Sequence, residues 1–439
     1  MTRLQPTPEQ LQKIYQIVGL RALASNTNRF TEWLSVRCKE LTLTSVDAYI
    51  NRLLEPLHVM QEREALCHLL TSRESYFLRD RGVLDVLREH ILKEILEKKM
   101  MERSLNIWSI GCATGEEVYT LSIFIQEAIP DVGRWRVDIL GSDIDQVALT
   151  QARQGAYRQW SFRGCPAEFI ARYFIQEGSN LKITNPIKQS VRFEHLDILA
   201  AAYPNEHQGM AHADIIVCRN VFIYLDDASI EIALKKITSC LTEGGYFFCG
   251  PGELHLQEHP QLVPLIFAQA LVYQKKTTSD STEITEMSST SESPPPLQIS
   301  TKRAEAFTPQ TQKYLHPSLT LADAWRLANL GHVSAANRIC KNVIQQDRLN
   351  PHAHYLHAVL NFAKGMTTQA REDLRRVLYL DPLFAVAYAM LSDVCMADHD
   401  TDCALKACRQ GLKATHVQAN DQTVPYFNSV SYQEFRQHL

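Results

Sequence analysis

The chain is predicted to be an α/β protein. A doubly wound, parallel-sheet domain follows an N-terminal all-α region and precedes C-terminal α-helical repeats. Three observations predict this. Short apolar runs at 107–110, 137–140, 215–218 and 246–249 alternate with helical patterns, as expected of a parallel sheet covered on both faces. The first of these runs continues through Gly111-Cys112-Ala113-Thr114-Gly115-Glu116-Glu117 into Val118-Tyr119-Thr120-Leu121: a strand, a turn of small residues, then a helix start. Beyond residue 316, small residues recur every 34 positions.

In chain order, residues 10–20, 30–41 and 46–57 space their apolar side chains by three and four, so 1–80 reads as a helical domain. Residues 81–276 carry the α/β pattern. Its rhythm breaks after Tyr157, where Asn180-Leu181-Lys182-Ile183-Thr184 and Ser190-Val191-Arg192-Phe193 predict an antiparallel insert over about 158–193. Residues 277–315 are rich in Ser, Thr, Glu and Pro. They lack the apolar surface to order themselves and read as a disordered linker. Over 316–416, Gly331 and Gly365, then Ala336, Ala370 and Ala404, then Val343 and Val377, keep a 34-residue offset. That is the period of the tetratricopeptide repeat, a stack of helical hairpins. The match is partial: Arg348 stands where the next repeat has Pro382, and His399 replaces the glycine.

Composition narrows the function. A net charge of -4 gives no global attraction for nucleic acid. No apolar run approaches the roughly 20 residues of a membrane span, so no membrane insertion and a cytoplasmic location are expected. The eleven cysteines are scattered without a Cys-x-x-Cys pair and are expected to be reduced, with Cys403 and Cys408 as packing residues. His352, His354 and His357 lie close together with no acidic or thiol partner nearby in sequence. They read as repeat surface, and no metal site is expected. Trp108 and Trp135 flank apolar runs and read as core aromatics.

Ligands of doubly wound sheets bind at the carboxyl ends of the strands, and four segments fall there. At the first turn, Gly111 lets backbone N–H groups be approached. Glu116 and Glu117 on that turn would repel phosphates but suit a ligand with hydroxyls and a positive charge, as S-adenosylmethionine is. Counting does not separate the two, and Glu117 is favoured. The second segment is Ser142-Asp143-Ile144-Asp145, with Asp143 placed to accept from both ribose hydroxyls and Asp145 to cap the next helix. The third is His195-Leu196-Asp197-Ile198-Leu199, where Asp197 either bonds the adenine amino group or serves a turn. The fourth is Cys218-Arg219-Asn220-Val221-Phe222-Ile223-Tyr224, which sets Arg219, Asn220 and Tyr224 at the switch region. Upstream, Ser75-Tyr76-Phe77-Leu78-Arg79-Asp80 could roof a small-molecule site or form an interdomain joint.

In this order and spacing, the four motifs and the upstream segment resemble the chemotaxis receptor glutamate O-methyltransferases of the CheR type, over roughly 11–276; the repeats match a subtype of that family. The resemblance implies a Rossmann-like S-adenosylmethionine-dependent methyltransferase with a small β-subdomain. It also implies a helical N-terminal domain that docks on a receptor, where Arg21, Arg29, Arg37 and Lys39 would supply a basic face. Cofactor contacts implied are Ser75, Arg79, Gly111, Glu117, Asp143, Asp197, Ile198, Arg219 and Asn220, with Tyr224 beside the methyl group. Arg79 and Tyr224 are the catalytic candidates: Arg79 orients the incoming carboxylate, and Tyr224 closes the pocket and polarises the donor. The family usually has Asn at Arg73 and Thr at Ser75. The product would be S-adenosylhomocysteine. The partner implied is the cytoplasmic domain of a chemoreceptor-like protein at membrane receptor arrays, with a further protein on the repeats. The competing reading is an inactive cofactor-sensing scaffold that acts through the repeats.

Overall fold

The computed structural model describes residues 5–21, 27–70, 74–199, 211–250, 253–254, 259–267, 270–277, 320–416, 424 and 432–436. Four helices open the chain: α1 (Pro8–Val18), α2 (Thr27–Glu40), α3 (Val46–Leu53) and α4 (Pro56–Leu70). Thr7 and Gln10 start α1 with reciprocal side-chain-to-backbone bonds, and Gly19 ends it in the left-handed conformation. The third expected helix, 46–57, is in fact two, because Pro56 cannot continue α3 but suits the first turn of α4.

A seven-stranded sheet follows, in the order β6-β2-β1-β7-β8-β10-β9. Its strands are β1 (Ser104–Ile110), β2 (Arg136–Asp143), β6 (Val191–His195), β7 (Ala213–Cys218), β8 (Leu241–Cys249), β9 (Leu262–Ile266) and β10 (Leu271–Lys275). The first five pair in parallel and β10 runs antiparallel to both its neighbours. Both faces are buried, which is why these strands read as continuous apolar runs rather than alternating ones. Ile107, Ile139, Ile215, Val217 and Phe248 face a core shared with α5 (Arg81–Val86), a π turn (Leu87–Ile91), α6 (Leu92–Lys98) and α7 (Glu116–Ala128). Trp108, Ile110, Leu140, Ile216 and Phe247 face a second core with α1 to α4. Trp108 is a core aromatic, 1% exposed, with its indole N–H on Ser142 Oγ at 2.9 Å.

The small insert is the antiparallel sheet β3 (Ala156–Tyr157), β5 (Asn180–Ile183) and β4 (Phe174–Glu177). The expected extent of the insert needs correction. Residues 191–193 belong to β6, which pairs in parallel with β2 through Gly141 and Phe193. Alternating apolar residues alone cannot tell which sheet a short strand will join. Between the large sheet's strands lie α8 (Gln146–Gln154), α9 (Ala167–Tyr173), α10 (Asn185–Gln189) and α11 (Asp227–Cys240).

Three hairpins follow, α12 (Leu321–Asn329) with α13 (Val333–Gln346), α14 (Pro351–Ala363) with α15 (Thr367–Leu380), and α16 (Ala385–Ala397) with α17 (Thr401–His416), and a short helix, Tyr432–Phe435, lies beyond them. Ala336, Ala370 and Ala404 are buried where the helices cross. The expected disordered linker, 277–315, lies outside the described residues but for Thr277. The hairpins seat on the sheet's outer strand: Ile266 is 1% exposed within the repeat core, and a Cβ on Gly331 would stand 2.7 Å from Val263 Cγ1. A helical layer thus covers an edge that would otherwise offer unpaired backbone groups.

Two expectations for the repeats change. Cys403 is not simply a packing residue but is disulfide-bonded to Cys395, tying α16 to α17, while the other nine cysteines form no disulfide. His354 is 1% exposed and bonds Arg348 O at 3.0 Å, and His357 lies 2.7 Å from Asp373, an acidic partner that the hairpin brings from 16 residues away.

Candidate active site

The chain passes from β1 outward through β2 to β6, then returns to β7 on the other side of β1. That reversal opens a crevice at the carboxyl ends of β1 and β7. Two adjoining pockets fill it, sharing Gly111, Ala113, Asn220 and Tyr224, with about 820 and 840 Å³ of empty space when the open solvent at their mouths is included.

The first pocket is apolar with carboxylates at its rim: Ile110, Ile144, Ala148, Ile198 and Leu199 beside Asp143, Asp145 and Asp197. Asp143 ends β2, where its oxygens accept from Ala113 N and Asp145 N, each at 2.8 Å. Burial pushes its carboxyl above the usual range. Asp145 caps α8 by accepting from Val147 N and Ala148 N, the role assigned to it. Asp197 accepts from Leu199 N at 2.9 Å, which is turn behaviour, yet it also lines the pocket.

The second pocket is polar, lined by Glu74, Ser75, Tyr76, Arg79, Glu117 and Arg219. Phe77 anchors the 75–79 segment by stacking on Phe162 at 5.0 Å and edge-on to Tyr157 and Phe174, all from the insert. Arg79 donates to Glu74 O at 2.7 Å. Glu117 and Glu116 separate clearly. Glu117 faces the pocket, whereas Glu116 is 1% exposed and bonded to Thr114 and Ser161 hydroxyls. Glu117 is not an isolated charge, since it accepts from Ser109 Oγ and Arg219 Nε, both at 2.7 Å. Arg219 also reaches Asp80 at 3.2 Å and Arg79 O at 3.0 Å. Burial opposes its charge, but the two carboxylates outweigh that and leave its pKa above the ordinary arginine value.

All the expected cofactor residues therefore line one pocket or the other, as does Tyr224, whose backbone oxygen accepts from Arg21 N at 2.8 Å. Arg73 lies outside the described residues. The expected basic face is thinner than its sequence: Arg21 pairs with Asp227 and Arg37 with Glu62 and Glu40, while Arg29 and Lys39 are exposed. Other residues at the site were not expected. Arg63 and Cys67 of α4 line the first pocket with Leu20. Glu253 holds Asn220 N at 2.8 Å and Gly250 N at 2.6 Å, fixing Asn220 at φ +60°. In sequence, Gly250-Pro251-Gly252 marks a break just before Glu253, whereas nothing local marks Arg63.

An apolar cleft with an acidic acceptor for ribose hydroxyls, beside a polar cleft of paired carboxylates and guanidinia, suits a nucleoside joined to a cationic amino acid. With Glu116 and Glu117 opening α7, the helix end does not suit a pyrophosphate. This fold and site define an S-adenosylmethionine-dependent methyltransferase. Residues 73–272 match the family described as CheR methyltransferase, SAM binding domain. Chemotaxis protein methyltransferase 1 of Pseudomonas aeruginosa is 30% identical over 221 residues, covering 49% of this chain and 78% of that one. Chemotaxis protein methyltransferase 2 of Vibrio cholerae is 33% identical over 194 residues, 44% of this chain and 66% of that one, just under two thirds of its length. The probable biofilm formation methyltransferase WspC of Pseudomonas aeruginosa is 26% identical over 356 residues, 77% of this chain and 83% of that one, a span that runs into the repeats. The chain belongs to the CheR methyltransferase family.

Proposed function

We propose that this enzyme esterifies glutamate side chains on the cytoplasmic domain of a chemoreceptor-like protein, yielding glutamate methyl esters and S-adenosylhomocysteine. The paired pockets at the switch point carry the reading. The donor, when bound, supplies an electrophilic methyl group on a sulfonium. A glutamate, with a reference pKa near 4.3, is already ionised at neutral pH, so the site needs no general base. Arg79, at the rim of the polar pocket, orients the acceptor carboxylate. Tyr224, shared by both pockets, closes over the reacting centre. Ser75, Gly111, Glu117, Asp143, Asp197, Ile198, Arg219 and Asn220 hold the donor. Such positioning contributes on the order of 7–11 kcal/mol, and excluding water favours a step in which opposite charges cancel.

In the same reading, residues 1–80 dock the receptor, 81–276 catalyse, and the repeats after a 277–315 linker take a protein partner. The setting is the cytoplasmic side of receptor arrays. Among the described residues no helix is long and apolar enough to cross a membrane. The presence of Arg79, Glu117, Asp143, Asn220 and Tyr224 around one crevice speaks against an inactive scaffold. Labelled donor incubated with receptor cytoplasmic fragments tests the proposal: base-labile label on receptor glutamates is expected. Label that reaches only small molecules, or donor binding without transfer, would overturn it.

A further inference from the structure

The wall of the nucleoside pocket farthest from the catalytic domain's own sequence is α4. Arg63 projects from it with a side chain only 11% exposed, next to Cys67, whose thiol burial pushes up to about 12. The guanidinium is committed twice. Its Nε donates to Val18 O at 2.6 Å, where α1 ends, and its Nη1 pairs with Asp197, itself 7% exposed. Nearby, His68 lies 3.4 Å from Asp145, and Glu64 lies 3.4 Å from His195 at the end of β6. On the other flank, the fully buried Glu62 takes Arg37 of α2 at 2.8 and 3.0 Å and the Tyr49 hydroxyl at 2.9 Å. Adjacent residues of one helix thus clamp the docking helices on one side and the end of the pocket on the other.

We infer that Arg63 is a positioning residue for the methyl donor: by holding Asp197 it fixes the nucleoside end of the pocket, so that donor binding requires the N-terminal helices to be seated. Asp197 stands among Ile144, Ile198 and Leu199. Without Arg63 its carboxylate would lose this ion pair and keep Leu199 N as its hydrogen-bond donor, leaving Oδ2 free to swing away. That movement takes the acceptor from the pocket's base end. The inference rests on the donor reading and not on the acceptor's identity, so donor-only binding separates the two.

The test is calorimetry on the full chain with S-adenosylhomocysteine and with 5′-methylthioadenosine, which lacks the amino-acid end. Arg63→Gln is expected to weaken both by a similar factor, about tenfold or more. The donor KM should rise in step while kcat at saturating donor stays within about twofold, and Arg63→Lys should recover most of the loss. Unchanged affinity in a folded Arg63→Gln, or a loss confined to kcat, overturns the role. The unaltered chain gives a second measurement: S-adenosylhomocysteine should slow amide exchange along α4. No change there overturns the inference, whereas a failure of the unaltered chain to bind either compound overturns the donor reading itself.

Discussion

Replacing Gly111 with alanine tests how tightly the switch point is built. Gly111 sits at φ +69°, and its N–H donates to Ser142 O at 2.7 Å, tying the turn to β2. A Cβ there would lie 2.3 Å from Val221 Cγ2. Carbon atoms pack at about 3.5–4.0 Å, so Val221 would have to retreat by roughly 1.2 Å or more. The left-handed backbone adds about 1–2 kcal/mol for a residue with a Cβ, and overpacking about 1–3 kcal/mol. A destabilisation of about 2–5 kcal/mol is expected, within the roughly 5–15 kcal/mol of a typical domain, so the chain should still fold in the cold. Because Val221 and its neighbour Asn220 line the donor pocket, S-adenosylhomocysteine should also bind at least about tenfold more weakly, ~1.4 kcal/mol. Urea unfolding followed by circular dichroism and calorimetry measure the two effects. Gly133→Ala is the control, since its Cβ would meet nothing within 4 Å and should change stability by less than about 0.5 kcal/mol. An unfolding midpoint equal to the control's, with affinity within twofold, would refute this account of the turn.

Tyr224→Phe should lower kcat about tenfold with little change in donor affinity, read by single-turnover methyl transfer. Asp143→Asn should weaken S-adenosylhomocysteine by about tenfold or more. Because burial raises the Asp143 carboxyl and only its ionised form accepts from two hydroxyls, affinity in the unaltered chain should fall on acidification, and this part of the pH dependence should vanish in the variant. Burial, with Asp80 nearby, pushes Asp393 up to about 7. The folded chain therefore holds a proton there that the unfolded chain has lost, and stability contributed by this group declines between about pH 4 and pH 7. Asp393→Asn should raise the unfolding free energy at pH 8, by on the order of 2–4 kcal/mol, and leave it nearly unchanged at pH 4. A chain ending at residue 277 should lose about 2 kcal/mol, because Ile266 gives up its cover by the repeats. An unchanged midpoint in urea would count against the seating of the hairpins on β9.

Features set by residues close together in the chain are legible in its sequence. The strand–turn–helix at 104–128, the Asp145 cap and the 34-residue rhythm each depend on residues close in sequence, where backbone propensity and side-chain period act directly. The apolar spacing of 46–57 runs through Pro56, where the structure breaks it into two helices, and the apolar alternation of the insert runs on into β6. The ambiguity between Glu116 and Glu117 could not be resolved by inspection. Successive residues at a helix start point about 100° apart, and only the position of Arg219 shows which of them faces the crevice.

The sequence by itself determined a doubly wound sheet, a helical front, a repeat at the back and nearly all the residues around the crevice, because glycine turns, strand ends and helix caps announce themselves in short motifs. Tertiary structure alone decided that α4 supplies Arg63 to Asp197, 134 positions away, and that the hairpins rest on β9. Contacts of that kind depend on shape and charge meeting across the folded chain, and residues so far apart carry no shared period or spacing that would reveal them beforehand.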